Sequence, residues 1–191
     1  MAEPDRNPVI GRWAREYSHL LDQSGLERES VLNEALQASG GVRTGLFSLA
    51  QCLEQPSLLL NQIGVDYPNN TGPRTVRALA SVLQQDLALS VIAPLTLRLF
   101  RDGQAPAPDA HRIFLGPADQ QTQAASRWFQ VPGGEQVGEE MFVRSTGALT
   151  AKWYPVFRRQ LGVSPGAYWS SIGLGLGAPF SAVWNRVEPQ A

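Results

Sequence analysis

The amino-acid sequence predicts an α+β fold, mainly α, with a helical segment over residues 1–65 and a second helical domain over 66–191 that holds a small antiparallel β-hairpin. Three observations lead there. Apolar residues recur at intervals of three and four along most of the chain, the mark of amphipathic helices. Two short runs, Arg112-Ile113-Phe114-Leu115 and Ser126-Arg127-Trp128-Phe129-Gln130-Val131, have the aromatic and β-branched content of strands and lie close enough to pair. Between the two halves, the stretch DYPNNTGP over 66–73 packs prolines, asparagines and a glycine together, the strongest loop signal in the chain.

Taken in order, Trp13, Tyr17, Leu20 and Leu21 define a first helix over 11–24 that Gly25 stops. Val31, Leu32, Ala35 and Leu36 define a second, closed by Ser39-Gly40-Gly41. Leu46, Phe47, Leu49, Ala50 and Leu53 suggest a third, which Pro56 interrupts before Ser57–Ile63 resumes. The longest pattern runs from Arg74 to Phe100, mostly apolar and so mostly buried, with Pro94 expected to kink or divide it. Its polar positions Arg77, Ser81, Gln84 and Gln85 share a stripe that faces water or a ligand. After the hairpin, Glu139–Val143 reads equally as a strand or a helical turn. Leu149, Trp153, Val156, Phe157 and Leu161 form a helix with Pro155 expected in its first turn and Gly162 at its end. Ser164-Pro165 is an N-cap and N1 pair for the next helix, and a last helix starts near Pro179.

Composition narrows the class of protein. Hydrophobic residues make up 43% and charged residues 17%, which excludes disorder, and no apolar run approaches the roughly 20 residues of a membrane span. The start, MAEPDRNPVIGRW, has acids and prolines where a secretory signal needs a basic and then an apolar region, so a cytoplasmic location is expected. Cys52 is the single cysteine, leaving no intramolecular disulfide, and the Asn69-Asn70-Thr71 sequon is read as accidental. A net charge of −1 and a pI near 6.1 argue against nucleic acid as a partner. Lys152 is the only lysine. The arginine excess reflects base composition, and it also supplies planar donors for anions.

Few constellations point to chemistry. His19 stands three residues from both Glu16 and Asp22, but a helical di-metal site needs a second Glu-x-x-His pair, and Pro108 occupies the matching place before His111. A zinc site lacks its third nitrogen or sulfur ligand. Cys52, inside an apolar helical pattern, reads as a small core residue rather than a nucleophile. Gly173-Leu174-Gly175-Leu176-Gly177 follows a helix rather than a strand and lets neighbouring helices approach instead of binding a dinucleotide. Arg98 and Arg101 suit the negative end of a helix. The competing reading places Arg77, Arg98, Arg101 and Arg112 around an anion-friendly pocket. Of Trp128, Trp153, Trp169 and Trp184 most belong to the core, and one on a pocket wall would meet a planar ligand. The candidate ligand contacts are thus Arg77, Gln84, Arg101, His111, Arg112, Trp128 and Trp169, with no metal ligand and no assignable catalytic residue.

From Pro73 to Trp184 the sequence resembles the FhuF-like family, which includes cytoplasmic siderophore-iron reductases. The likeness lies in the order of four features: the long helix RALASVLQQDLALSVIAPLTLRLF, the strand pair HRIFLGP and SRWFQVP, the helix WYPVFRRQLGVSP, and the Tyr-Trp pair opening AYWSSIGLGLGAPFSAVW. The resemblance implies a [2Fe–2S] cluster held by a C-terminal cysteine group. This sequence has no such group, reaching Val187-Glu188-Pro189-Gln190-Ala191 with Cys52 far upstream, so no cofactor is expected in this chain. The function implied is that of a siderophore- or iron-handling protein binding a ferric siderophore or siderophore precursor. The alternatives are a ferric-siderophore reductase component fed by an external electron donor, or a non-redox accessory enzyme of siderophore biosynthesis. The partners implied are a siderophore or related small molecule and a redox or biosynthetic protein, with no nucleic acid and no membrane span.

Overall fold

In a computed structural model, the described residues are 11–37, 44–70, 72–119, 121, 124–184 and 186. The Ser39-Gly40-Gly41 helix stop, Thr71 of the sequon and the stretch 187–191 lie outside them. Helices dominate and the sheet is small and antiparallel, as the residue patterning implies.

Helix α1 (Arg12–Gln23) buries Ala14, Tyr17 and Leu21, and Gly25 at φ +67° releases the chain into α2 (Arg28–Gln37). The expected third helix begins later than its apolar residues suggest. Phe47–Ser48 forms a short strand, β1, and Ser48 then caps α3 (Leu49–Glu54). The Ser48 hydroxyl accepts from the Gln51 N–H at 3.2 Å, and the Gln51 side chain accepts from the Ser48 N–H at 2.8 Å. This reciprocal box fixes the helix start. Pro56 separates α3 from α4 (Ser57–Asp66) as expected.

The long apolar pattern forms one continuous helical run, Pro73–Asp102, with no division at Pro94. It consists of α5 (Pro73–Leu87), a π-turn (Ala88–Ile92) and α6 (Ala93–Asp102), ending at Gly103 with φ +76°. Pro94 has no N–H to give to the preceding turn. That turn is widened, the Ala93 N–H reaching back five residues to the Ala88 carbonyl, so the bulge absorbs the proline within the helix. At 30 residues the run is long and apolar enough to cross a membrane by length and composition, contrary to the expectation that no stretch would be. Half of its most apolar window is buried inside the protein, where Leu83, Leu87, Val91, Ile92, Leu95 and Leu99 join the core.

The two strand candidates pair as expected. β3 (Ile113–Gly116) and β4 (Arg127–Gln130) are antiparallel, with Phe114 opposite Phe129 and Leu115 opposite Trp128. β1 adds to the other edge of β3, giving the order β1-β3-β4. A second, two-stranded sheet joins β2 (Ala105–Pro106) to β5 (Gln136–Val137). The undecided stretch at Glu139–Val143 opens α7 (Glu139–Pro155), where Glu139 and Glu140 favour the positive end of the helix dipole. Pro155 therefore closes this helix instead of starting one. A second π-turn (Val156–Gln160) follows it, with the Leu161 N–H on the Val156 carbonyl at 3.2 Å. Gly162 at φ +74° ends the run, and Ser164 caps α8 (Pro165–Leu176), its hydroxyl accepting from the Ala167 N–H at 3.2 Å. α9 (Ala178–Trp184) completes the described chain.

Two apolar clusters hold these elements together. The larger joins Phe47, Leu49, Cys52, Leu59 and Ile63 to Leu83, Leu87, Trp128, Phe142, Trp153, Phe157 and Tyr168, so residues on both sides of position 65 share it. The smaller packs Tyr17 and Leu21 of α1 and Val31 and Leu32 of α2 against Leu97 and Phe100 of α6 and Val183 of α9. Helix α8 crosses the first π-turn at Gly175, where an added Cβ would lie 2.8 Å from the Ala88 carbonyl oxygen and 3.3 Å from the Ile92 Cβ. Within the glycine-rich stretch, Gly175 thus serves helix approach. Gly175→Ala is expected to lower stability by about 1–3 kcal/mol. Gly173→Ala, which meets nothing within 4 Å, should leave it unchanged or raise it slightly. Urea unfolding of the two variants measures the difference.

Candidate functional site

The end of the hairpin and the widened turn of the long helix face each other across a groove of about 80 Å³. Ser90, Val91, Pro94, Leu95 and Arg98 form its helical wall, and Phe129, Gln130, Val131 and Pro132, with Pro106, form the other. Asp86 sets the spacing between the walls. One carboxylate oxygen accepts from the Ser90 hydroxyl at 2.7 Å and the Arg127 Nε at 3.1 Å, and the other accepts from the Trp128 backbone N–H at 2.8 Å. The Asp86 side chain is only 14% exposed while Arg127 is 52% exposed, so solvent screens the ion pair and the bond to the Trp128 N–H carries more of the anchoring.

The far end of β4 is anchored through Gln130, whose amide nitrogen donates to the Ala107 carbonyl at 3.0 Å while its oxygen accepts from the Asp109 N–H at 3.1 Å. Phe129 lies against Phe114 with ring centroids 6.2 Å apart. Arg112 braces the loop behind the groove, donating to the Pro132 and Val131 carbonyls. Gly133, at φ +97°, gives it room, since a Cβ there would come within 2.8 Å of the guanidinium. Arg98 is exposed on the opposite wall, and among the described residues no carboxylate pairs with it. The groove therefore offers one uncompensated guanidinium beside an aromatic ring and three prolines.

The other candidate residues do not gather at one place. His111 is exposed in the turn before β3, its backbone N–H bonded to Asp109 at 2.9 Å. Arg101 pairs with Asp102 and reaches Asn33 on α2 at 3.0 Å, a contact that ties the second helix down. Arg77 lays its aliphatic stem over Gly162 and bonds the Pro73 carbonyl at 3.3 Å. Gln84 is wholly buried, so the polar stripe of α5 splits, with Arg77 and Gln85 outward and Gln84 inward. Trp128 is likewise fully buried, edge-on to Phe47. Trp169 is half exposed on α8, tilted against Tyr154 at 5.4 Å. Of the seven, Arg112 alone borders the groove. Arg98 belonged to the sequence-level arginine set, but Phe129, Pro94 and Pro132 carried no motif; the one sequence signal for them was a proline inside a helical pattern.

Among the described residues, burial disfavours the ionised forms of the thiol and of two tyrosines. Burial pushes the Cys52 thiol up to about 12, and it pushes Tyr17 up to about 12 against a small opposing effect of Arg186. Burial also raises Tyr168, whose hydroxyl donates to the Thr150 carbonyl at 2.5 Å. For an iron–sulfur cluster the donor set does not fit: one thiol sits in the core of α3, and the two imidazoles lie on α1 and in the turn before β3. Among the described residues no three metal-ligating side chains cluster. No protein-family model matches the chain, and no match is found among curated proteins or solved structures.

Asp86→Ala should cost about 1–3 kcal/mol, because it leaves the Trp128 N–H without its acceptor, and a double-mutant cycle with Arg127→Ala should show coupling. Cys52 should resist Ellman's reagent at pH 8 in the folded protein and react fully once urea exposes it.

Proposed function

We propose that this chain is a cytoplasmic siderophore- or iron-handling protein of FhuF-like type, which binds a ferric siderophore or siderophore precursor without an iron–sulfur cluster of its own. The observation that carries the reading is the Arg98 guanidinium, paired with no carboxylate among the described residues, in a groove walled by Phe129, Pro94, Pro106 and Pro132. A guanidinium presents a rigid fork of donors that matches carboxylate, catecholate and hydroxamate oxygens. An apolar wall beside it lowers the local dielectric and strengthens that attraction. The groove's volume equals only a few waters, so it takes one arm of a chelate while the remainder lies across the exposed face of the hairpin. The sequence likeness from Pro73 to Trp184 supplies the ligand class, and the groove falls wholly inside that stretch.

Titration with ferric hydroxamate, catecholate and carboxylate chelates, each compared with its metal-free form, tests the reading by calorimetry. At least one ferric chelate is expected to bind, and Arg98→Ala should weaken it about tenfold without changing the circular dichroism. A flat titration across all three chelate types ends the proposal. Steady loss of the ferric species with an external reductant present would assign the reductase-component role instead.

A further inference from the structure

The outer surface of the last two helices carries a pattern that the groove does not use. From Gln160 to Asn185 no residue bears a charge, and from Met141 to Val187 there is no carboxylate at all, while Arg144, Lys152, Arg158, Arg159 and Arg186 fall within or beside that stretch. Soluble helices ordinarily keep their solvent face charged or polar. Here Trp169, Gly173 and Leu176 form an uncharged stripe down α8 at intervals of four and three, with Leu174 on its flank. On α9, Phe180 and Trp184 are exposed four residues apart, Phe180 where the helix meets Tyr17 and Phe100, with Glu16 of α1 beside it. Trp169 is 50% exposed and Trp184 81% exposed, and Leu174, Leu176 and Phe180 are exposed as well. Tyr154 supports Trp169 from below at 5.4 Å, so that ring is held outward by packing. Arg158 and Arg159 stand exposed one turn beyond Tyr154, and no carboxylate among the described residues pairs with them.

We infer that the uncharged outer face of α8 and α9, with Arg158 and Arg159 at its edge, is a surface that lies on an anionic lipid bilayer. The layering of the residues favours lipid over the other occupants. Tryptophan, phenylalanine and leucine occupy the face and Arg158 and Arg159 stand at its Trp169 end, which matches rings and aliphatic chains among acyl chains and guanidinium groups at the level of anionic headgroups. A second copy would bring like cations together at the rim. An acidic protein would set carboxylates against a stripe that has no cation to receive them. At 12 residues α8 is about 18 Å long, too short to cross the hydrocarbon core, so the surface lies on the membrane and does not span it. This assignment is independent of whatever occupies the groove.

Sedimentation of the full chain with phosphatidylcholine vesicles, with and without phosphatidylglycerol, provides the test. The protein should pellet with the anionic vesicles and not with the neutral ones, and its tryptophan emission should shift to the blue as Trp169 and Trp184 leave water. Brominated phosphatidylcholine in the anionic vesicles should quench that emission, a readout that needs no variant. Arg158→Ser with Arg159→Ser should weaken binding by about thirtyfold, and Trp169→Ser with Trp184→Ser should abolish both pelleting and the blue shift while chelate titrations stay as in the parent. Failure to pellet with anionic vesicles, or pelleting without bromine quenching, overturns the inference.

Discussion

The structure depends on how the helix from Pro73 to Asp102 passes a proline without breaking. A proline in a helix interior removes one hydrogen bond and crowds the preceding turn, at a cost of about 3 kcal/mol in a regular helix. Here the turn before it is wound wider, and the surroundings make that widening useful. The Ala88 carbonyl at the start of the π-turn meets α8 at Gly175, where an added Cβ would have no room. Ser90, in the middle of the turn, donates to Asp86 and accepts from Arg127 of the hairpin at 3.3 Å, and so joins the helix to the hairpin. Val91 and Pro94 become a wall of the groove. Straightening the turn would move three interfaces together, which is why one irregularity organises the molecule.

Asp86 performs the complementary task in the sheet. A four-residue strand at the edge of a three-stranded sheet has little cohesion of its own. By accepting the Trp128 N–H the carboxylate satisfies a backbone group at the outer edge of β4, and by holding Arg127 it keeps that edge on the helix. The hairpin is thereby attached to α5 by electrostatics on one side and by burial of Trp128 on the other.

The fold class was legible because helical periodicity and two aromatic strand runs are properties of local sequence. Gly25, Ser164-Pro165, Pro56 and the 66–73 loop all act where their conformational preferences place them. What was not legible arose from distance or from compensation. Pro94 and Pro155 read as boundaries, yet each sits beside a widened turn whose cost is met by tertiary packing that no window of residues displays. Phe47-Ser48 read as helix because its strand partner, β3, lies more than sixty positions away. The candidate ligand residues were chosen for polarity, and polarity alone does not reveal direction: Gln84 differs from Gln85 by one step around the helix, which turns it from solvent into the core. Arg98 stood out in structure for a reason the sequence could not give, the absence of a neighbouring carboxylate among the described residues.

The smaller core has its own implication for biosynthesis. Helices α1 and α2 close on α6 and α9, and the Tyr17 hydroxyl bonds the Pro179 carbonyl at 2.5 Å across nearly the whole polypeptide. During synthesis α6 supplies the first cover for the apolar faces of the two helices, and the part that α9 supplies comes only when its residues have left the exit tunnel. The amino-terminal helices are thus held in place partly by residues added much later in synthesis, so damage within α9 is felt at α1 as well as at its own position.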